Sequence, residues 1–274
     1  MGIVNVTPDS FSDGGLFLDS TAAVAHGLSL AADGADILDI GGESTRPGAD
    51  AVDAQTELER VTPVIEGLAA GTDIALSIDT SKSTVAALVL AAGASIVNDV
   101  TAFRADPQMA PLCAERGCDV ILMHMQGSPR TMQDDPVYDD VVDDVRAFLA
   151  GRIETAVSSG VAEERIWVDP GIGFGKTLEH NLELLRRLGE LRELGRPIVI
   201  GASRKRFLGG ITGRETGHRL GGSIASNVIA LAAGAEVFRV HDVLATRQAL
   251  DAADVILGRR DWRTGSSRAG GNAE

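Results

Sequence analysis

The sequence predicts an α/β fold of one particular kind, a (β/α)8 TIM barrel in which eight parallel strands are surrounded by outer helices. Its 274 residues are close to the roughly 250 residues that such a barrel uses. Short β-branched runs alternate with longer helical patterns from end to end, which is typical of parallel strands joined by crossover helices. Eight strand patterns occur, and eight is the number that closes the ring.

The strand patterns are short and rich in Val and Ile, as buried parallel strands are. They lie at Gly2–Val6, Asp36–Ile40, Ile74–Ile78, Ser95–Asn98, Asp119–Met123, Ile166–Val168, Pro197–Gly201 and Val237–Val240. Patterns with helical spacing fall between them. Examples are Thr21–Ala32, Glu57–Ala69, Ser83–Ala92, Val141–Ser158, Leu178–Leu194, Leu220–Ala233 and Ala245–Leu257.

Glycines at the predicted ends of helices support this division into strands and helices. The dipeptide Gly-Ala precedes a strand at Gly34, Gly93 and Gly234, and glycine suits the left-handed position that ends a helix. These three glycines therefore mark helix ends at the bottom of the barrel. Residues 259–274 turn rich in Gly, Ser and Arg without periodicity, so we predict one barrel domain over 1–258 and a disordered tail beyond it.

Composition narrows the possible partners. The formal charge is −14, which argues against binding to nucleic acid or to an anionic membrane surface. No apolar run reaches the roughly 18 residues of a membrane span, and the sequence begins without a basic leader, so we expect a cytoplasmic protein. Cys113 and Cys118 have no neighbouring His or Cys cluster, which favours buried free thiols over a metal site.

A polar side chain lies at or just after the carboxyl end of every predicted strand, where the active site of such a barrel lies. A single Asp or Asn at a strand end is usually a turn residue, but a polar residue at the end of each of the eight strands predicts a site at this rim. They are Asn5, Asp39, Asp79, Asn98, Asp99, His124, Asp169, Ser203, Lys205, Arg239 and His241.

The charges at this rim indicate the chemistry of the ligand. Arg46, Lys205, Arg239 and His241 form a basic group in an acidic chain, which predicts an anion pocket, with phosphate as the natural ligand. Arg239 and His241 are two apart on one predicted strand and should point to the same side.

Carboxylates at the same rim indicate a second kind of ligand. Asp79 and Asp169, with the amide of Asn98, suit a flat heterocycle with an amino-pyrimidinone edge, because a carboxylate accepts two parallel N–H bonds. Metal binding and salt bridging are the alternatives.

Two long Gly- and Ser-rich loops, 7–15 and 41–48, follow the first two strands. They are candidate lids that order around a substrate, and plain solvated loops are the other interpretation.

Several long motifs then resemble the dihydropteroate synthase family, over residues 2 to about 257. They are GIVNVTPDSFSDGG (2–15), DIGGESTRPGA (39–49), SIDT (77–80), VND (97–99), LMHMQGSPRTMQ (122–133), DPGIGFGKTLEHN (169–181), GASRKRFLG (201–209) and RVHDV (239–243). The resemblance implies a transferase of folate biosynthesis. It would join p-aminobenzoate to 6-hydroxymethyl-7,8-dihydropterin pyrophosphate and release 7,8-dihydropteroate and pyrophosphate.

The resemblance also assigns roles, which stand here as expectations. The pterin set is Asp79, Asn98, Met123, Asp169, Lys205 and Arg239. The pyrophosphate set is Asn5, Thr45, Arg46, Arg239 and His241, with Asn5 also meeting a Mg²⁺ ion. The p-aminobenzoate set is Phe11, Thr45, Arg46, Pro47, Gly173, Phe174, Ser203 and Lys205. The catalytic set is Asn5, Asp13, Arg46, Asp79, Lys205, Arg239 and His241, where Asp13 helps order the closed site. Lys176 matches a family lysine to which no role is assigned.

Further expectations follow from the same resemblance. Phe174 is followed directly by Gly175, without the insertion of sulfonamide-insensitive relatives, so sulfonamides should compete as mimics of p-aminobenzoate. A homodimer is expected through the small-residue helix Gly221–Ala233. Family members commonly carry a small hairpin upstream of the first strand, which this sequence does not include, so the seal of the barrel bottom stays unassigned.

Two other functions fit parts of the pattern. One is a pterin-dependent methyltransferase on the same barrel, which has no need for Arg46, His241 or a phosphate pocket. The other is a non-catalytic pterin-binding paralogue, which would show losses in the two loops. Both loops and both basic residues are present, which favours the synthase.

Overall fold

The structure, a computed structural model, describes residues 1–7, 16–44, 50–127 and 131–261, with the side chains of 16–19 left aside. In this part of the chain the strands are β1 (Gly2–Asn5), β2 (Ile37–Gly41), β3 (Ala75–Asp79), β4 (Ile96–Asp99), β5 (Asp119–Met123), β6 (Ile166–Asp169), β7 (Val199–Ile200) and β8 (Val237–Phe238). The α-helices are α1 (Leu16–Ala32), α2 (Ala54–Gly71), α3 (Ser83–Ala91), α4 (Met109–Arg116), α5 (Val141–Ser158), α6 (Leu178–Arg186), α7 (Arg206–Thr212), α8 (Leu220–Ala233) and α9 (Val243–Ile256).

The strands close into the predicted ring. Strands β1 to β6 form one parallel sheet in sequence order, and β7 pairs with β8. A parallel bridge between Gly2 and Val240 joins β1 to the residues after β8, and a bridge between Val168 and Ile198 joins β6 to the residues before β7. Each neighbour in the ring is therefore paired, and the (β/α)8 barrel is confirmed.

One predicted element is wrong as stated. The expected helix Leu178–Leu194 is α6 followed by a 3₁₀ helix over Leu188–Leu194. The break falls at Arg187, whose backbone is not helical (φ −104°, ψ 15°) and whose guanidinium binds Asp140 and Glu190. Leu188 and Leu191 of the second segment remain buried, so the apolar pattern continued through a change of helix type.

Helix ends follow the predicted chemistry. Gly34, Gly93 and Gly234 all have positive φ, at 95°, 124° and 108°, as the Gly-Ala pattern predicts. At the other ends, Asp53 caps α2 and Asp140 caps α5 by accepting backbone N–H bonds.

An apolar layer fills the lower half of the barrel interior and carries the polar side chains above it. Strand side chains alternate between the interior and the helix layer. A separate cluster of Ile96, Ile121 and Val199 packs with Ile37, Ala75, Trp167 and Val237. Two residues further along five of these strands stand Asp39, Asn98, Met123, Asp169 and Arg239. The interior thus changes from apolar to polar towards the carboxyl ends of the strands.

The prediction for the two cysteines is confirmed, because Cys113 and Cys118 are buried free thiols. Arg259 and Arg260 bond back to Leu231 and Asp251, and residues 262–274 of the predicted tail lie outside the described residues. Within the described residues, none of the helices combines the length and the apolar character that crossing a membrane requires.

Candidate active site

A buried ion-pair network occupies the centre of the barrel mouth. The Arg239 guanidinium donates from Nε to Asp39 Oδ2 at 2.6 Å and from a terminal nitrogen to Asp79 Oδ2 at 2.8 Å. Asn98 Nδ2 donates to the same Asp39 oxygen at 3.3 Å. Side chains from three strands and from the segment after β8 therefore form one network around the Arg239 guanidinium, as the polar strand ends predict.

Two carboxylates share one guanidinium in this network, so a single positive charge faces two acidic groups. Burial raises the pKa of Asp79 to about 7, and Arg239 opposes this shift while Asp39 adds to it. Across the mouth, burial raises the pKa of Asp169, and Lys205 opposes that shift. Asp169 Oδ1 also accepts the Gly171 N–H at 2.7 Å. Asp79 and Asp169 are thus enclosed carboxylates with oxygen atoms still able to accept bonds from a ligand.

Lys205 stands between the carboxylates and the loop after β6. Its ammonium lies 4.5 Å from the centre of the Phe174 ring and donates to the carbonyl of Ile172. Burial lowers the pKa of Lys205 to about 8, against the opposing effect of Asp169. Phe174 in turn packs on the cluster that contains Met123. Lys205 therefore contacts Phe174 of the predicted p-aminobenzoate set and interacts electrostatically with Asp169 of the predicted pterin set.

His241 and Ser203 form a second pair on the same rim. Ser203 Oγ and His241 Nδ1 lie 3.0 Å apart, and Ser203 Oγ accepts the His241 backbone N–H at 3.2 Å. β8 ends at Phe238, so Arg239 and His241 follow the strand rather than lying on it. Their side chains contact different partners, with Arg239 on the carboxylates and His241 on Ser203.

Asn5 ends β1 and is paired with Gly41 of β2. A Cβ atom at Gly41 would lie 3.8 Å from Asp79 Oδ2 and 3.9 Å from Asn5 Oδ1. Glycine at this position therefore keeps room between the Asn5 amide and the Asp79 carboxylate. Among the described residues no group of three or more His, Cys, Asp or Glu is placed to hold a metal ion.

Other predicted site residues fall outside the described part of the chain. Phe11 and Asp13 belong to the first loop, and Thr45, Arg46 and Pro47 to the second.

Two strand-end aspartates that looked alike in the sequence differ in the structure. Asp99 accepts the backbone N–H groups of Thr101 and Phe103, so the turn interpretation is right for it. Asp39 was absent from the predicted sets, yet it is fully buried and binds Arg239. The signal that could have found it is alternation, because Asp39 lies two residues beyond interior Ile37.

Enclosed carboxylates, a shared guanidinium and an amine lie together at the mouth of this barrel. This combination is typical of one class of protein, the barrel enzymes that bind a flat polar heterocycle. The family model described as "Pterin binding enzyme" matches residues 1–241. A dihydropteroate synthase from Synechocystis sp. is 44% identical over 264 residues, which cover 96% of this chain and 90% of that protein. On these matches the chain belongs to the dihydropteroate synthase family of pterin-binding enzymes.

Solved structures agree. The Xanthomonas albilineans dihydropteroate synthase with 4-aminobenzoic acid has a TM-score of 0.89 and 51% identity, covering 93% of this chain and 92% of that one. The Yersinia pestis dihydropteroate synthase in a sulfonamide drug complex has a TM-score of 0.89 and 44% identity, covering 94% of both chains.

Proposed function

We propose that this protein is a dihydropteroate synthase, a cytoplasmic transferase of folate biosynthesis. It condenses p-aminobenzoate with 6-hydroxymethyl-7,8-dihydropterin pyrophosphate to give 7,8-dihydropteroate and pyrophosphate. The observation that carries this proposal is the pair of enclosed carboxylates, Asp79 and Asp169, on either side of Lys205 and Arg239 in a barrel of this family.

The pterin would lie in the polar interior. Its amino-pyrimidinone edge presents parallel N–H donors, which a carboxylate accepts in pairs. Asp169 and Asp79 supply the acceptors, Asn98 supplies an amide, and Lys205 supplies a donor for the ring carbonyl. Burial strengthens each of these bonds, because an unpaired donor in such a site costs about 1–3 kcal/mol.

Bond cleavage would be driven by charge stabilisation. The C–O bond between the pterin methylene and pyrophosphate breaks, the C–N bond to the amine forms, and the amine loses a proton. Cations at the rim, Arg239, His241 and Arg46, stabilise the departing pyrophosphate. The carboxylates of Asp79 and Asp169 favour the positive charge that develops on the pterin methylene. The amine of p-aminobenzoate is neutral at pH 7, so it needs no strong general base.

The donor chemistry at Asn5 fits a magnesium ion. Mg²⁺ prefers oxygen ligands and is usually held by few protein groups together with substrate phosphates and water. The Asn5 amide oxygen faces the space that Gly41 keeps open, and Asn5 would hold the ion there. When bound, the ion supplies additional neutralisation of the pyrophosphate charge.

The p-aminobenzoate pocket would lie above Phe174 and Ser203. Gly173 and Lys205 complete the described wall, and Phe11, Thr45, Arg46 and Pro47 are the proposed contribution of the two loops. The relative that carries 4-aminobenzoic acid and the relative in a sulfonamide complex support a pocket of this kind.

A homodimer through α8 is part of this proposal. Leu220 and Ile229 of α8 are 40% and 55% exposed, and Ile211 of the neighbouring α7 is 53% exposed. Exposed apolar side chains on adjoining helices are typical of an interaction surface.

The deciding experiment is direct. The protein is incubated with the pterin pyrophosphate, labelled p-aminobenzoate and Mg²⁺, and labelled dihydropteroate is separated by chromatography. Product that depends on all three components supports the synthase. Tight binding of a pterin with no product at any Mg²⁺ concentration would instead mean a non-catalytic pterin-binding protein.

A further inference from the structure

The loop after β6 that carries Phe174 is held by a buried amine that the mechanism above does not use. The Lys176 side chain turns back under this loop and is only 3% exposed. Its Nζ lies 2.8 Å from His124 Nδ1 and donates to the carbonyl of Phe174 at 3.0 Å. One amine thus links the end of β5 to the backbone of the residue whose ring contacts Lys205.

Neither partner of Lys176 is a carboxylate. Burial lowers the pKa of Lys176 well below its usual value, and Asp169 opposes this shift from a distance. Burial, together with Lys176 and Arg104, lowers the pKa of His124 to about 2. The imidazole is therefore neutral, and it is hydrogen-bonded to the amine through Nδ1. Burying an amine costs free energy, and two neutral partners offset less of that cost than a carboxylate would. We therefore attribute the burial of Lys176 to the positioning of its partners rather than to a gain in stability.

His124 is itself rigidly placed. Its backbone N–H donates to Asp169 O at 2.9 Å, and its ring packs edge-on against Phe148 with centroids 4.8 Å apart. Tyr138, 5.9 Å from the same ring, donates its hydroxyl to Gly175 O at 2.6 Å. The imidazole is a fixed point from which Lys176 reaches the loop.

The loop needs such support because its sequence offers little of its own. Gly171, Gly173 and Gly175 all have positive φ, and these glycines carry no side chains that could anchor the turn. Phe174 is the half-buried member that faces Lys205. Asn181 and Gln133 hold the neighbouring Gly173. Lys176 holds the Phe174 carbonyl, so Lys176 is the side chain that fixes the backbone at Phe174 itself.

Residue choice points the same way. The chain has only three lysines, and elsewhere its cations are arginines. An ammonium is a compact point donor, whereas a guanidinium is a planar fork. Two partners about 3 Å away in a buried space suit a compact amine better than a planar guanidinium.

We propose that Lys176 and His124 are a positioning pair that fixes the Phe174 wall of the p-aminobenzoate pocket. The inference rests on the proposed function, because it assigns the pair to the second substrate of that reaction. The pair determines the affinity for p-aminobenzoate, whereas the affinity for the pterin depends on the carboxylates of Asp79 and Asp169.

The test compares the two substrates in the same variants. Lys176→Met keeps the length of the side chain and removes the donors. We expect its KM for p-aminobenzoate to rise about tenfold or more, since a displacement of about 1 Å can cost about a hundredfold. Its KM for the pterin pyrophosphate should stay within about twofold, because the hydrogen bonds of Lys176 go to His124 and to the Phe174 carbonyl and not to the side chains of Asp79 or Asp169.

If Lys176→Met does not fold, a second pair of variants tests the same proposal. His124→Leu removes the hydrogen-bonding partner, whereas His124→Asn retains an amide oxygen near the position of Nδ1. The p-aminobenzoate KM should rise in His124→Leu and be largely restored in His124→Asn. Arg247→Met is the matched control, since it removes a cation from the Gly34 and Asp36 region at the opposite end of the barrel and should change neither KM.

The outcomes separate the two proposals. Unchanged KM for p-aminobenzoate in Lys176→Met, or equal rises for both substrates, would overturn the positioning pair while leaving the synthase intact. Equal p-aminobenzoate KM in His124→Leu and His124→Asn would do the same. An unsubstituted protein that forms no dihydropteroate would overturn the proposed function, and this inference with it.

Discussion

At the centre of the barrel mouth, Asp79 shares one guanidinium with Asp39, and Asp169 faces Lys205 across the interior. Asp79→Asn and Asp169→Asn each replace an acceptor-only group with an amide that also donates. We expect each variant to bind a pterin analogue about 5- to 150-fold more weakly, which corresponds to about 1–3 kcal/mol per unpaired group. Calorimetric titration measures this. Asp119→Asn, at the other end of β5 beside Arg165, is the control, and unchanged affinity in both site variants would remove the pterin assignment.

Stability should depend on pH through Asp79. Its pKa is about 7 in the folded protein, against 3.8 for an exposed aspartate, so the folded state holds this proton more tightly. The stabilisation is fully present below about pH 4 and is lost as pH rises to about 7, at about 1.4 kcal/mol per pH unit. Asp79→Asn cannot lose a proton, and its free energy of unfolding should fall less over this window. Parallel urea titrations that show identical pH profiles would contradict the raised pKa.

Single residues also show what the sequence could and could not predict. The polar strand ends were predictable, because each follows an apolar run in a fold whose active rim is known. Alternation places Asp39 on the same side as interior Ile37, but the bonds that separate the two aspartates, from Asp39 to Arg239 and from Asp99 to Thr101, could not be predicted from the sequence. Arg239 is 200 residues from Asp39, and only barrel closure brings them together.

At the scale of elements, the turn after β6 depends on glycine. Gly171 has φ +69°, and a Cβ there would lie 1.9 Å from the carbonyl oxygen of His124. Gly171→Ala should therefore destabilise the fold by about 2 kcal/mol or more. Gly151 lies in α5, where a Cβ meets nothing within 4 Å, so Gly151→Ala should stabilise by about 0.5–1 kcal/mol. Thermal or urea unfolding distinguishes the two, and a harmless Gly171→Ala would mean that the turn is free to shift.

The same turn bears on inhibition. Phe174 is followed directly by Gly175, and Lys205 lies over the Phe174 ring. A sulfonamide shares the ring amine and shape of p-aminobenzoate and should bind against the same wall of the pocket, which Phe174 forms. We expect inhibition that is competitive with p-aminobenzoate in steady-state kinetics at saturating pterin pyrophosphate. Non-competitive inhibition would place the drug elsewhere.

Element boundaries were harder to predict than element order. Leucines at helical spacing run through Leu178–Arg186 into Leu188–Leu194, and the pattern alone gives no reason for a break. The reason lies in long-range pairing, because Arg187 reaches Asp140 on the cap of α5. β7 and β8 are two residues each, and their neighbours complete the ring through isolated bridges that a sequence pattern does not distinguish from strand.

For the whole molecule, the distribution of exposed apolar side chains predicts how copies associate. Most of those recorded in the described chain lie between 211 and 257, on α7, α8, α9 and the residue after α9. We expect a dimer at micromolar concentration by sedimentation velocity, because an apolar surface on adjoining helices is most simply covered by the same surface of a second copy. Ile229→Arg places a charge in this surface and should shift the protein to a monomer with unchanged thermal stability. Leu88→Arg, at a similar exposure of 56% on α3, should leave the dimer intact. A monomer at every concentration, or dissociation caused by Leu88→Arg and not by Ile229→Arg, would show that α8 is not the interface.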